Sequence, residues 1–213
     1  MDWNQPIDLY CERTAEGLFA EPCNLISNLA FLIAAYLAYR YTRRKVADPI
    51  RSAQLLCGLL ALVGIGSSLF HSFATRWAML TDTAPIQLFI ISFFWLWLRK
   101  HWCLSPLFSV LGVLLLLLGS YGIEVLTANY PLNGSQAYIG TAVALSILGL
   151  IERSTPRRQR ILLASLVFCI SVTARTLDNA LCELNPLGLH CLWHLLNGVV
   201  CYLAITAYTA SNE

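Results

Sequence analysis

The stretch Gln54-Leu-Leu-Cys-Gly-Leu-Leu-Ala-Leu-Val-Gly-Ile-Gly-Ser-Ser-Leu-Phe-His-Ser-Phe-Ala74 contains no Asp, Glu, Lys or Arg. About 20 mostly apolar residues cross roughly 30 Å of hydrocarbon as a helix, so the run reads as a transmembrane helix. A barrel strand would alternate over about ten residues, which this run does not. A lone helix also satisfies its own backbone in lipid. The same ruler marks six further spans, at about 23–41, 79–98, 104–125, 135–151, 160–181 and 189–209. The expected fold is an all-α membrane protein, a seven-transmembrane-helix bundle.

Composition agrees. Of the 213 residues 57% are hydrophobic and 12% charged, about half the charged share of a soluble domain. Residues 1–22 are acidic and lack the basic and apolar regions of a signal peptide, so the first span reads as permanent. Three regions are expected: an acidic extracytoplasmic segment over 1–22, a seven-helix transmembrane domain over 23–209 and a short cytoplasmic tail over 210–213. The lipid bilayer is the expected partner, with no nucleic acid; the sequence is silent on oligomeric state.

Basic residues in short loops mark the cytoplasmic side. With seven spans, one set of loops holds Arg40, Arg43, Arg44, Lys45, Arg51, Arg99, Lys100, Arg153, Arg157, Arg158 and Arg160, most of the 14 Lys and Arg. The N-terminus is therefore expected outside and the C-terminus in the cytoplasm. Short loops of this kind suit a bacterial inner membrane.

Ionisable groups within spans are costly and mark function. Ser67 and His71 fall near the outer end of the second span and Asp82 near the start of the third. Arg175 and Asp178 close the sixth, and His190 and His194 open the seventh. Alternating topology gathers them all near the outer (periplasmic) face. His190 and His194, four residues apart, share one helix face. With His71 they form a three-histidine set, the open pattern of a catalytic zinc. Blander readings exist: histidines bonded to neighbouring helices, Ser67 back-bonded to its own helix, Asp82 as a favourable helix-start carboxylate, and Asp178 paired with Arg175. Ser68 points about 100° away from Ser67, and His101 reads as a solvated loop residue.

Four blocks resemble the alkaline ceramidases, in the superfamily of seven-helix membrane hydrolases that also holds adiponectin receptors and Per1-type proteins. They are Asp8-Leu-Tyr-Cys-Glu12 through Ala20-Glu-Pro-Cys-Asn24 to Ser27-Asn28; Gly64-Ile-Gly-Ser67-Ser-Leu-Phe-His71 with Asp82 following; Leu177-Asp178-Asn-Ala-Leu-Cys182; and His190-Cys-Leu-Trp193-His194-Leu-Leu-Asn-Gly198. The resemblance implies zinc at His71, His190 and His194, Ser67 steadying the substrate oxygen and Asp82 shuttling a proton. It implies cleavage of the ceramide amide to a sphingoid base and a fatty acid. It further implies calcium at Asp8, Glu12 and Glu21, although Thr14 stands where the family has Asn and no Trp precedes Cys11. It implies a disulfide between Cys11 and Cys182. A cavity among the helices is expected to hold the acyl chain, with the Leu114–Leu118 run in its wall.

Three other functions compete: an intramembrane zinc hydrolase of another lipid ester or phosphodiester, a receptor-like lipid-binding protein with structural zinc, and a transporter. The transporter is disfavoured because the polar set clusters at one depth and no internal repeat is evident.

Overall fold

A computed structural model describes residues 2–45 and 51–211. Helices follow the apolar runs: α1 (Pro22–Ser27), α2 (Leu29–Lys45), α3 (Arg51–Phe73), α4 (Arg76–Lys100), α5 (Pro106–Leu126), α6 (Gln136–Ile151), α7 (Thr155–Leu177) and α8 (His190–Tyr208). A short 3₁₀ turn, Asn179–Leu181, follows α7. The first expected span is split at Asn28, which is buried and donates from its amide to the Asn24 carbonyl at 2.9 Å. Counting α1 with α2, six spans are long and apolar enough to cross a membrane; α6 is apolar but shorter. The expected bundle is therefore the observed architecture.

Each helix from α2 to α7 packs on its successor, and α8 returns to α2, so the seven close into a ring. Bulky residues fill it, among them Leu56, Leu60, Phe93, Trp97, Ile161 and Ile205. Leu114, Leu115 and Leu118 of α5 are exposed, facing outward. The expectation that this run lines the cavity is thus corrected.

Three connections differ from the expected loops. Thr42-Arg43-Arg44-Lys45 continues α2, Arg99-Lys100 ends α4, and α7 begins at Thr155, well before the expected 160. Residues 46–50, part of the expected inner loop, lie outside the described residues, as do 212–213 of the expected tail. At this end Lys100, His101 and Arg160 meet the last carbonyls of α8: Lys100 Nζ and His101 Nε2 lie 2.9 and 3.0 Å from the Tyr208 oxygen, and Arg160 Nη1 lies 2.7 Å from that of Thr206. Cations there complement the helix dipole. His101 also lies against Trp97, with ring centroids 4.7 Å apart. It is half-buried rather than freely solvated.

At the other end the N-terminal segment folds back over the bundle. Ile7 N–H donates to the Ala74 carbonyl at 2.7 Å, and Arg76 and Trp77 N–H donate back to Gln5 and Trp3. Tyr10 packs beside Phe70 and Ala78. A disulfide joins Cys11 to Cys182, with Cα atoms 5.5 Å apart.

Candidate metal centre and its pocket

His71, His190 and His194 are fully buried, and each offers a ligand atom within 4.8 Å of the others. Among the described residues, no other group of three or more His, Cys, Asp or Glu could hold a metal ion. His71 closes α3, while His190 and His194 sit one turn apart at the start of α8.

Hydrogen bonds orient two of the rings. Glu21 Oε2 lies 2.5 Å from His71 Nδ1. A carboxylate only accepts, so Nδ1 carries the proton and Nε2 keeps its lone pair. That Nε2 is buried with no partner. Ser27 Oγ donates to the Asn24 carbonyl at 2.9 Å and lies 2.7 Å from His194 Nδ1. Its one hydrogen being used, the hydroxyl accepts from His194 Nδ1–H, which leaves His194 Nε2 as the free donor atom. His190 Nδ1 is likewise buried without a partner. Tyr10 stacks on the His190 ring at 3.6 Å between centroids. Three buried histidines in reach of one another, with unpartnered ring nitrogens on two and orienting acceptors behind two, suit a metal centre.

Asp178 positions His190. Its Oδ1 accepts from the Leu189 and His190 N–H groups at 2.6 and 2.9 Å, and its Oδ2 accepts from Cys11 N–H at 3.2 Å. It thus caps α8 and holds the N-terminal segment; it does not pair with Arg175. Gly188, at φ +67°, makes room, since a Cβ there would run into Asp178 Oδ1.

Ser67 and Asp82 line one polar pocket with His194, Tyr10, Arg175 and Trp193. Pro85 offers no N–H to the Thr81 carbonyl, four residues earlier in α4. That carbonyl instead lies against Gly66, where a Cβ would collide with it. The contact brings Ser67 of α3 beside Asp82 of α4. Ser68 donates to the Gly64 carbonyl at 2.7 Å and takes no part. Below this pocket an apolar chamber shares Phe31, Ile86, Tyr138 and Trp193 with it. The chamber is lined almost wholly by apolar side chains and holds a narrow cavity of about 80 Å³.

The three acidic residues expected to bind calcium are not assembled. Asp8 is exposed. Glu12 accepts from the N–H groups of Cys23 and Asn24 at 2.6 and 2.9 Å, at the start of α1. Glu21 holds His71, Arg13 Nε at 2.5 Å and Asn24 Nδ2 at 3.1 Å. Burial alone would raise the Glu21 carboxyl, but the bonds from His71, Arg13 and Asn24 hold it below its ordinary value. Tyr10, Arg13 and Ser27 were not singled out in the sequence. Tyr10 and Ser27 do fall inside its first resembling block.

The family model described as Ceramidase matches residues 7–212, nearly the whole chain. The chain belongs to the ceramidase family. No curated protein matches it closely enough to count as a relative. Membership in the ceramidase family carries with it a hydrolase acting on an amide bond, a lipid substrate and activity on ceramide in general. The four blocks behind the resemblance meet at this site: Tyr10 and Ser27 from the first, Ser67, His71 and Asp82 from the second, Asp178 from the third, and His190 and His194 from the fourth.

Proposed function

We propose that this ceramidase is a zinc-dependent membrane amidase that hydrolyses the N-acyl bond of ceramide or a related lipid, releasing a sphingoid base and a fatty acid. The carrying observation is the buried histidine trio, with unpartnered ring nitrogens at His71 and His190, whose third member, His194, lines the pocket of Ser67 and Asp82. Zinc held by His71, His190 and His194 would supply Lewis-acid polarisation and make water a nucleophile near neutral pH.

The remaining work falls to the chain. The apolar chamber takes the acyl tail and sets the amide in the polar pocket. Asp82 takes a proton from the attacking water and returns it to the amide nitrogen as the C–N bond breaks. Ser67 donates to the acyl oxygen, where negative charge develops in the transition state. The water oxygen ends in the fatty acid carboxylate and the nitrogen leaves as the amine.

The loop charges support an N-terminus outside, so the site opens near the non-cytoplasmic face, periplasmic if the membrane is a bacterial inner one. A cytoplasmic N-terminus in accessibility labelling would invert that placement. A calcium ion at Asp8, Glu12 and Glu21 would have to displace the Arg13 guanidinium from Glu21 and two helix N–H groups from Glu12. We therefore expect hydrolysis to survive a calcium-selective chelator; activity lost to it and regained with calcium would restore that ion.

The test is ceramide hydrolysis by detergent-purified protein. Asp82→Asn is expected to lower kcat by about 10²–10⁴-fold while the protein keeps its metal. Unchanged kcat would remove Asp82 from the reaction.

A further inference from the structure

Arg175 lies in the last turn of α7 with only 9% of its surface exposed. An ionisable group at such a position is expensive unless something answers its charge. No carboxylate among the described residues does so at ion-pair distance. Asp178, three residues on, is turned to the start of α8 and to Cys11. Asp82 lines the same pocket and its charge reaches the guanidinium, but the two form no ion pair.

The guanidinium is instead held in an aromatic cage. Its carbon lies 5.5, 5.4 and 5.3 Å from the ring centres of Tyr10, Tyr138 and Trp193. Nη1 donates to the Tyr10 hydroxyl at 2.9 Å, while Nε is buried and unpartnered. The backbone is pinned as well, since Asn133 Nδ2 donates to the Arg175 carbonyl at 2.9 Å. Aromatic faces orient a cation and attract it, but they do not neutralise it. The result is a fixed, charged donor with spare hydrogen-bonding capacity in the wall of the pocket that also holds Ser67, Asp82 and His194.

We propose that Arg175 is a specificity-determining residue that receives an oxyanion on the polar side of the substrate. The preferred substrate is then an N-acyl lipid with a carboxylate or phosphate a few bonds from the amide nitrogen. This rests on the amide-hydrolase reading above. A guanidinium suits both groups, because its planar fork matches two acceptor oxygens at once. A neutral diol headgroup would fill the same space and leave the guanidinium without a direct anionic acceptor.

The experiment compares three probes with one acyl chain: ceramide, ceramide 1-phosphate and an N-acylglycine. Each is offered to the full-length protein and to Arg175→Gln and Arg175→Lys, with fatty acid release measured. The wild type is expected to favour an anionic probe over ceramide by about tenfold or more in kcat/KM, the scale of one charge-assisted bond. The two anionic arms show which oxyanion the pocket takes. Arg175→Gln should raise KM for that probe far more than for ceramide, and Arg175→Lys should recover part of the loss. A residue that merely braced the fold or steadied Asp82 would slow all three probes alike.

Ceramide preferred by the wild type, a comparison that needs no variant, overturns the proposal. So does an equal loss on every probe in Arg175→Gln. Release of fatty acid from none of them defeats the hydrolase reading instead. Arg175 is then judged by binding: anionic lipid should raise the melting temperature of the wild type and not of Arg175→Gln, and an equal rise in both overturns the proposal.

Discussion

Glu21 Oε2 stands 2.5 Å from His71 Nδ1, joining the N-terminal segment to the end of α3. A carboxylate behind a ligand histidine fixes its tautomer and raises its basicity. Arg13 completes the relay, bonding Glu21 through Nε and the His71 carbonyl through Nη2 at 3.2 Å. Glu21→Gln should therefore weaken metal affinity about 10–100-fold, read as faster metal loss to a chelator with helicity retained. Unaltered metal retention would reduce Glu21 to a packing residue.

Gly66 admits the Thr81 carbonyl between α3 and α4. Gly66→Ala must part the helices beside Ser67 and Asp82, and overpacking of this kind costs about 1–3 kcal/mol. A lower melting temperature and reduced turnover are expected. Gly58→Ala, in the same helix with open space at its Cβ, is the control and should leave both intact. Equal behaviour of the two variants would refute the close-approach account.

The Cys11–Cys182 disulfide ties the segment carrying Tyr10, Arg13 and Glu21 to the turn before α8. Loss of a disulfide costs about 2–4 kcal/mol in soluble domains; a membrane-held bundle should lose less, because its unfolded chain is already confined. Cys182→Ser should lower the melting temperature and speed metal release. Two free thiols at these positions in non-reduced mass analysis would remove the bond.

Acid should loosen the end opposite the metal centre. Burial, aided by the Arg157 charge and opposed by the Tyr208 carbonyl, pushes His101 down to about 4. Between its ordinary value near 6.5 and about 4, the unfolded chain takes a proton that the folded chain refuses. Stability therefore falls as pH drops through that window. Glu152 adds to the loss at lower pH. Burial alone would raise its carboxyl, but Ser154 N–H and Arg157 hold it below its ordinary value. Its contribution is present above the ordinary glutamate range and disappears as pH falls through the lower folded value. His101→Gln should flatten the melting curve against pH between about 6.5 and 4.5; identical curves for variant and wild type would contradict this.

Much of this was legible beforehand for a physical reason. Long uncharged runs can only be helices in lipid, and alternation alone sends His71, Asp82, His190 and His194 to one end. Other features depend on folding that periodicity does not encode. Glu21 reaches His71, 50 residues on, because the N-terminal segment folds back, and no spacing rule records that contact. Asp178 sits at an i, i+3 interval from Arg175, but α7 ends at Leu177, so its side chain leaves the helix face for the start of α8. Leu114–Leu118 is apolar whether it faces a cavity or lipid, and only the folded ring shows that Leu114, Leu115 and Leu118 face outward while Leu116 and Leu117 pack on the core. His101 is the loop residue expected after α4, but its partner, the Tyr208 carbonyl, is more than 100 residues away, so its partial burial was not legible.

The proposed hydrolysis requires a zinc held by His71, His190 and His194. The most direct measurement is metal content together with fatty acid release from ceramide and other N-acyl lipids, for wild type and His194→Ala. Stoichiometric zinc and hydrolysis in the wild type, with both lost in His194→Ala, is the predicted result. Stoichiometric zinc without release from any N-acyl lipid, or hydrolysis that persists in metal-free His194→Ala, would contradict it.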